Sequence, residues 1–305
     1  MPAALAVIGR TPRDVPRLRS RAMLPVLSHF QATPLLVARA SGRPKTTTSL
    51  DLNLTTVDVE LDRHGIRLPG DARLAWRHVE TIAATPNACF RVLEDAIAPI
   101  RVFAGGIGRA YSLMPTPRAP TLLVSGTYMH RIKGTDPVAD TEAKLATVAP
   151  LLGRVLDTTT GLGYTAIGAA RSATSVTTIE LDPAVLDIAR ANPWSAGLFE
   201  NPRIEQIVGD AAEVVTSLAD GAFDVVVHDP PAFALAGQLY SGVFYRELYR
   251  LLRPGGRLFH YVGKLDGRAG SRVGTGVVRR LREAGFERVT ARPVAYGYLT
   301  RKARC

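Results

Sequence analysis

The sequence predicts an α/β protein in which a parallel sheet, covered by helices on both faces, follows a smaller β-rich domain. Two observations carry this. From residue 154 onward short apolar, β-type runs alternate with helical stretches, the pattern of strand–helix–strand units in one sheet. From 50 to 132 the runs are also short and β-type, but turn residues separate them and little helix intervenes. With 305 residues, of which 46% are hydrophobic and 21% charged, the chain is globular and long enough for a real core.

Residues 1–45 mix Pro, Arg and apolar residues without a clear period and read as a basic N-terminal arm, which is loose, folded as a short docked helix, or the product of a misassigned start. Residues 46–132 form the β-rich domain. Apolar and polar residues alternate over 54–61, as in a half-buried strand. A His64-Gly65 turn, a strand at 66–68 and Pro69-Gly70 follow, then a helix near 74–82. Further strands are expected at 100–104, 109–113 and 121–124. Pro115, Pro117 and Pro120 mark a joint, and 133–305 form the larger domain. That domain opens on a helix over 136–149. Its strands are expected at 154–157, 175–180, 204–208, 224–228 and 257–262. Its helices are expected at 166–170, 184–192, 211–218, 240–252 and 274–284, with 289–294 and 295–300 closing the sheet.

Composition narrows the function classes. No stretch reaches the roughly 18 uninterrupted apolar residues of a membrane span, so no membrane partner is expected. Arg10 and Arg13 follow the apolar start, the reverse of a secretory signal. Cys89 and Cys305 are too scattered for a disulfide framework or a zinc site, and a reducing cytoplasm is expected. No His, Cys and carboxylate cluster has metal-ligand spacing, so no metal is expected. The net charge of +11 is uneven. Residues 1–50 carry eight basic residues against one acid, and 263–305 carry eleven against three, which leaves the middle mildly acidic. Such basic ends fit a nucleic-acid footprint and, equally, a solvated arginine-rich surface, since the arginines are not interleaved with stacking aromatics.

Four motifs bear chemistry. In Val155-Leu156-Asp157-Thr158-Thr159-Thr160-Gly161-Leu162-Gly163-Tyr164-Thr165 an apolar strand ends in an acid, and a Gly-x-Gly turn opens a helix. The glycines let the backbone approach a ligand closely. Gly161-x-Gly163-x-x-Ala166 also satisfies a dinucleotide fingerprint. An Asp157 carboxylate at the strand end would repel a pyrophosphate but suit a cationic amino-acid end, such as that of S-adenosylmethionine (SAM). The second motif, Thr178-Ile179-Glu180-Leu181-Asp182-Pro183, ends the next strand on Glu180, placed to accept from ribose hydroxyls, while Asp182 reads as a helix cap. Third, Gly209-Asp210-Ala211 offers an acid for an adenine amine, or a helix cap.

Fourth, Phe223-Asp224-Val225-Val226-Val227-His228-Asp229-Pro230-Pro231-Ala232-Phe233 sets an acid and two prolines just past a strand's carboxyl end, where open α/β sheets bind ligands. The prolines fix the carbonyls before and between them. A carboxylate and a fixed carbonyl can together accept both protons of an amino group and free its lone pair. Leu251–Leu258 with its Pro254-Gly255-Gly256 turn is structural.

In this order and spacing the motifs resemble the class I SAM-dependent methyltransferases over about residues 137–300. The resemblance implies a Rossmann-like, seven-stranded sheet whose last strand runs antiparallel, with SAM as cofactor. It implies that Asp157, Gly161 and Gly163 line the methionine end, Glu180 holds the ribose, Asp210 meets the adenine and Asp229 faces the acceptor. The candidate cofactor set is Asp157, Thr159, Gly161, Gly163, Tyr164, Thr165, Glu180, Leu181, Asp210 and Ala211, and the catalytic candidates are Asp229 and Pro230. The segments 157–165, 192–195, 228–233 and 236–245 also look like a family of predicted archaeal methyltransferases of unknown acceptor.

Two departures bear on the acceptor. Methyltransferases acting on base amino groups commonly follow the two prolines with an aromatic. Here Ala232 takes that place and Phe233 follows, a spacing that resembles some ribosomal RNA base methyltransferases. The domain order and the run 237–249 look somewhat like spermidine synthase, an aminopropyltransferase that uses decarboxylated SAM. Those enzymes carry an acid inside the glycine loop, whereas this chain has Thr158, Thr159 and Thr160, whose hydroxyls suit the carboxylate that decarboxylated SAM lacks. Methyl transfer to a nitrogen of RNA or of a small amine is the expected activity, and aminopropyl transfer the alternative. Of the other residues, His130 reads as structural rather than as a base, and Trp194 as a packing residue. Tyr240, Phe244, Tyr245 and Tyr249 form a buried helix face on which Tyr240 reaches the acceptor side. Arg279, Arg280 and Arg282 read as a solvated face.

Overall fold

The computed structural model describes residues 24–264 and 267–304; residues 1–23 of the basic arm, and Cys305, lie outside them. Strands β1 (Arg154–Asp157), β2 (Ser175–Glu180), β3 (Ile204–Val208), β4 (Phe223–His228), β5 (Leu252–Tyr261), β6 (Glu287–Arg292) and β7 (Gly297–Arg301) form one sheet. Its order is β3-β2-β1-β4-β5-β7-β6. β1 to β5 pair in parallel, and β7 runs antiparallel to β5 and β6. The seven-stranded α/β sheet with an antiparallel last strand is therefore as expected.

The strands fold this way because alternate residues feed two cores. Val155, Val225, Val227 and Phe259 point into one cluster, and Leu156, Val226 and Leu258 into the other. Helices α1 (Pro137–Val148), α2 (Tyr164–Ala169) and α3 (Pro183–Arg190) cover the first face. Helices α4 (Ala211–Ser217), α5 (Gly242–Leu251) and α6 (Gly267–Glu283) cover the second. Strand order reverses between β1 and β4, so the loops after these two strands diverge and leave a crevice at the carboxyl edge.

The N-terminal region is β-rich, in three small antiparallel sheets. The last of these, over 101–128, packs Tyr111, Leu113 and Leu122 into the first core of the large sheet. Between residues 24 and 45 the expected arm is, in its described part, a docked helix: His29–Ala40 buries Ala32, Leu35 and Ala38. Ser28 caps it through a capping box with Gln31. Pro34 inside the helix hides its period in the sequence. A strand at Arg73–Ala75 occupies the start of the helix expected over 74–82, which begins at Trp76. Among the described residues no helix is long and apolar enough to cross a membrane.

Candidate active site

The crevice at the carboxyl edge is a pocket whose floor is the loop between β1 and α2. Two main-chain bonds pin that loop to its neighbours: Thr158 N donates to Val227 O (3.1 Å) and Thr160 N to Ile179 O (2.8 Å). Gly161 takes φ 53°, and nothing lies within 4 Å of where a Cβ would stand. Its bare backbone faces open space. Thr159, Gly161, Tyr164 and Thr165 line this pocket, as do Glu180, Leu181, Asp210 and Ala211 and, opposite, Asp229 and Pro230.

Two of the expected residues do not line it. Asp157 is fully buried beneath the loop and accepts a hydrogen bond from Thr178 Oγ1 (2.8 Å). Burial pushes its carboxyl up to about 8. Gly163, at φ 78°, faces Leu198, whose Cδ2 would stand 2.7 Å from an added Cβ. Its smallness serves packing at the start of α2.

Glu180 sits at the end of β2 and accepts from Gly161 N (2.8 Å) and Asp182 N (3.1 Å). Burial raises its carboxyl to about 7 against the pull of those two N–H groups. A carboxylate has about four acceptor positions, so these N–H groups leave it capacity for a ligand. Asp182 caps α3 through Ala184 N (3.0 Å) and Asp210 caps α4 through Ala212 N (2.8 Å). Capping and ligand contact are compatible for Asp210, which lines the pocket. Leu181 is 46% exposed there, an apolar surface beside both acids.

On the far side, two side-chain hydroxyls hold the Asp229-Pro230-Pro231 turn. Thr159 Oγ1 donates to the Asp229 carbonyl (2.8 Å), tying this turn to the glycine loop. Tyr240 Oη donates to the Pro231 carbonyl (3.0 Å). Of the three carbonyls of this turn, these bonds occupy those of Asp229 and Pro231 and not that of Pro230. Underneath, His228 donates from Nε2 to the Leu239 carbonyl (3.0 Å) and accepts from Thr158 Oγ1 at Nδ1 (2.7 Å). Burial depresses its pKa to about 3, which keeps this neutral tautomer.

Sequence reasoning missed the partner of Asp229. Lys144, on α1 and 1% exposed, places Nζ 2.6 Å from Asp229 Oδ2 and 2.9 Å from Asp140 Oδ2. Arg131 pairs with the other oxygen of Asp140. Burial opposes the Lys144 ammonium, but Asp229 and Asp140 outweigh it and hold its pKa above the ordinary lysine value. For Asp229 burial pushes up, Lys144 pulls down, and the net shift is upward. The overlooked signal is the α1 stripe itself, since Asp140 and Lys144 share the buried face with Leu145 and Val148.

His130 lines the pocket and bonds Thr121 Oγ1 (3.0 Å), with its pKa lowered to about 3 by burial and then by Lys144. It is neutral and weakly basic. Trp194 donates from Nε1 to the Leu52 carbonyl (2.9 Å), joining the N-terminal region to the large sheet. Arg280, expected on a solvated face, donates to the Tyr240 carbonyl (2.8 Å). The tyrosine face of α5 is buried at Phe244, Tyr245 and Leu248.

A family model described as a methyltransferase domain matches residues 155–256. An uncharacterized protein of Methanocaldococcus jannaschii is 47% identical over 196 residues, covering 64% of this chain and 67% of that one. The chain belongs to one family with that protein, and it carries a SAM-dependent methyltransferase domain. SAM is accordingly the cofactor. The open backbone at Gly161 and the paired strand-end acids suit it. This methyltransferase also has partial relatives among polyamine enzymes. A polyamine aminopropyltransferase of Aeropyrum pernix is 35% identical over 28% of this chain and 29% of its own length. A putrescine N-methyltransferase of Nicotiana tabacum is 30% identical over 32% of this chain and 26% of its own. The chain thus spans less than a third of each. A spermidine synthase crystal structure shares the fold at TM-score 0.53 and 20% identity, over 63% of this chain and 69% of that one.

Proposed function

We propose that this methyltransferase modifies a nitrogen of RNA or of a small amine held over Asp229-Pro230-Pro231. The observation that carries the reading is the Thr159–Asp229 bond, which sets the acceptor turn directly against the glycine loop. Bound SAM supplies a sulfonium-activated methyl group, whose transfer makes a nitrogen–carbon bond as the sulfur–carbon bond breaks and leaves a neutral thioether.

The chain's own groups bind and orient. Glu180 would accept from the ribose, Asp210 from the adenine amine and Leu181 would pack beside the base, with Thr159 and Gly161 at the methionine end. Asp229 and the Pro230 carbonyl would accept the two N–H groups of the acceptor, aligning the lone pair and receiving the proton. Most of the acceleration would then come from positioning. Residues 133–305 act as the catalytic domain in this reading, and 46–132 as a cover, since Arg109, Tyr111 and Met129 line the same pocket.

Aminopropyl transfer from decarboxylated SAM is the second reading, supported by the partial relatives named above. Calorimetric titration with SAM and with decarboxylated SAM separates the two. Labelled SAM incubated with total RNA and, separately, with a small-metabolite extract identifies the acceptor class. Asp229→Ala is expected to abolish label transfer while SAM still binds, and unchanged transfer would sink the assignment. Should RNA be the labelled fraction, binding weakens steeply with salt.

A further inference from the structure

We propose that Lys144 is a specificity-determining counter-ion: by pairing with Asp229 it tunes the acceptor pocket for an uncharged nitrogen and against an alkylammonium group. The inference rests on the reading that Asp229 faces the acceptor.

The acids that line the pocket divide by position. Glu180, Asp182 and Asp210 stand at the ends of β2 and β3, on the cofactor side, and Asp182 also has the Tyr111 hydroxyl beside it. Among the described residues Asp229 is the one carboxylate lining the pocket on the acceptor turn. A cationic substrate would need that charge. Yet Lys144 Nζ already lies 2.6 Å away, and the wider cluster closes on itself: Asp140 and Asp229 carry two negative charges, Lys144 and Arg131 two positive. Tyr261 lies 4.4 Å under the Lys144 ammonium and Tyr296 4.1 Å under the Arg131 guanidinium, which adds no ionic charge.

A further pocket group reinforces the bias. His130 is neutral and offers an ammonium no opposite charge. An incoming ammonium would therefore meet a compensated carboxylate and a nearby cation while losing its own hydration, a balance that disfavours binding. An amide or aromatic amino group has no charge to compensate. It needs only an acceptor, and the Asp229 side chain, 17% exposed, offers its second oxygen for that. This separates the chain from the chemistry named for its polyamine-acting partial relatives.

The test is calorimetric titration of 1,4-diaminobutane into the full-length protein saturated with S-adenosylhomocysteine, which occupies the cofactor-side acids. Wild type is expected to bind the diamine no tighter than about 1 mM, and tighter binding overturns the proposal. Lys144→Met, which keeps the length and removes the charge, is expected to tighten diamine binding by about tenfold or more. Lys144→Arg should behave as wild type, and adding Asp229→Asn to Lys144→Met should erase the gain. A folded Lys144→Met that gains nothing overturns the proposal; if that variant fails to fold, the wild-type titration still decides. Loss of label transfer in Asp229→Asn alongside tight diamine binding by wild type would end this inference and leave the proposed function standing. Unchanged label transfer in Asp229→Asn would remove both.

Discussion

Asp157 and the two loop glycines show how neighbouring residues of one motif take different work. Asp157 is sealed from water at the end of β1, and its folded pKa of about 8 lies well above the roughly 3.9 of an unfolded aspartate. The folded state therefore holds the proton more tightly. Stability is fully present below pH ~3.9 and is lost as pH rises toward about 8, at up to about 1.4 kcal/mol per pH unit. Asp157→Asn carries no such proton, so its stability relative to wild type should climb between pH 5 and 8 and level off above. Denaturant melts across that range check it, and a pH-independent difference would exclude the buried acid as the cause.

Gly161 and Gly163 separate in a second experiment. Both have positive φ, so valine at either costs roughly 1–2 kcal/mol in backbone strain. At Gly161 the new side chain meets open pocket, and the expected result is a folded protein with no calorimetric signal for SAM. At Gly163 it meets Leu198, and the expected loss is in stability beyond that strain. The motif and its spacing were readable from the residues; which glycine faces the ligand was not, because that depends on Leu198, thirty-five positions away in the chain.

At the scale of elements, α1 carries more of the site than its place ahead of the motifs suggests. Asp136 caps it by accepting from Val138 N (2.9 Å) and Ala139 N (3.1 Å), and Pro137 starts its first turn. The helix then brings Asp140 and Lys144 to the acceptor turn after β4. Asp136→Ala should lower stability by about 1 kcal/mol, chiefly through the lost cap, since the Arg118–Asp136 pair is exposed and worth little. Asp136→Asn should recover most of that in equilibrium unfolding, because asparagine caps as well; an Asn variant as weak as Ala would point to the ion pair instead. The α1 boundaries were legible from this cap and from the apolar period. Its charged pair was not, because Asp140 and Lys144 four apart read equally well as a surface pair until the burial of that face is known. Residues 29–40 were hidden for the converse reason: Pro34 masks the helical period, and only the Ser28 and Gln31 capping box marks the start.

Across the whole molecule, one buried hydrogen-bond chain joins the N-terminal region to the SAM-binding sheet. Tyr164, the first residue of α2, donates its hydroxyl to the Pro120 carbonyl (2.9 Å) and accepts from Asn192 Nδ2 (2.9 Å). Asn192 also holds Ser195 Oγ (2.8 Å), and Trp194 between them reaches Leu52. Around this chain the apolar core is continuous, for Tyr111 and Leu122 from the small sheet lie in one cluster with Val155 and Val176 from the large one. The motifs Asn192–Ser195 and Gly161–Tyr164 were visible as sequence; that they meet at a joint with Pro120 depends on a fold-level contact no local pattern encodes. Removing the hydroxyl in Tyr164→Phe leaves the Pro120 carbonyl and one asparagine N–H buried without their partner, at a cost of about 1–3 kcal/mol. Because the core crosses the joint, that loss should lower one common transition rather than detach the N-terminal region. Fluorescence from Trp76 and Trp194 and far-ultraviolet dichroism should therefore shift together. A fluorescence transition that moves to lower denaturant alone would mean that the two regions unfold separately and that the joint is a docking contact rather than part of a shared core.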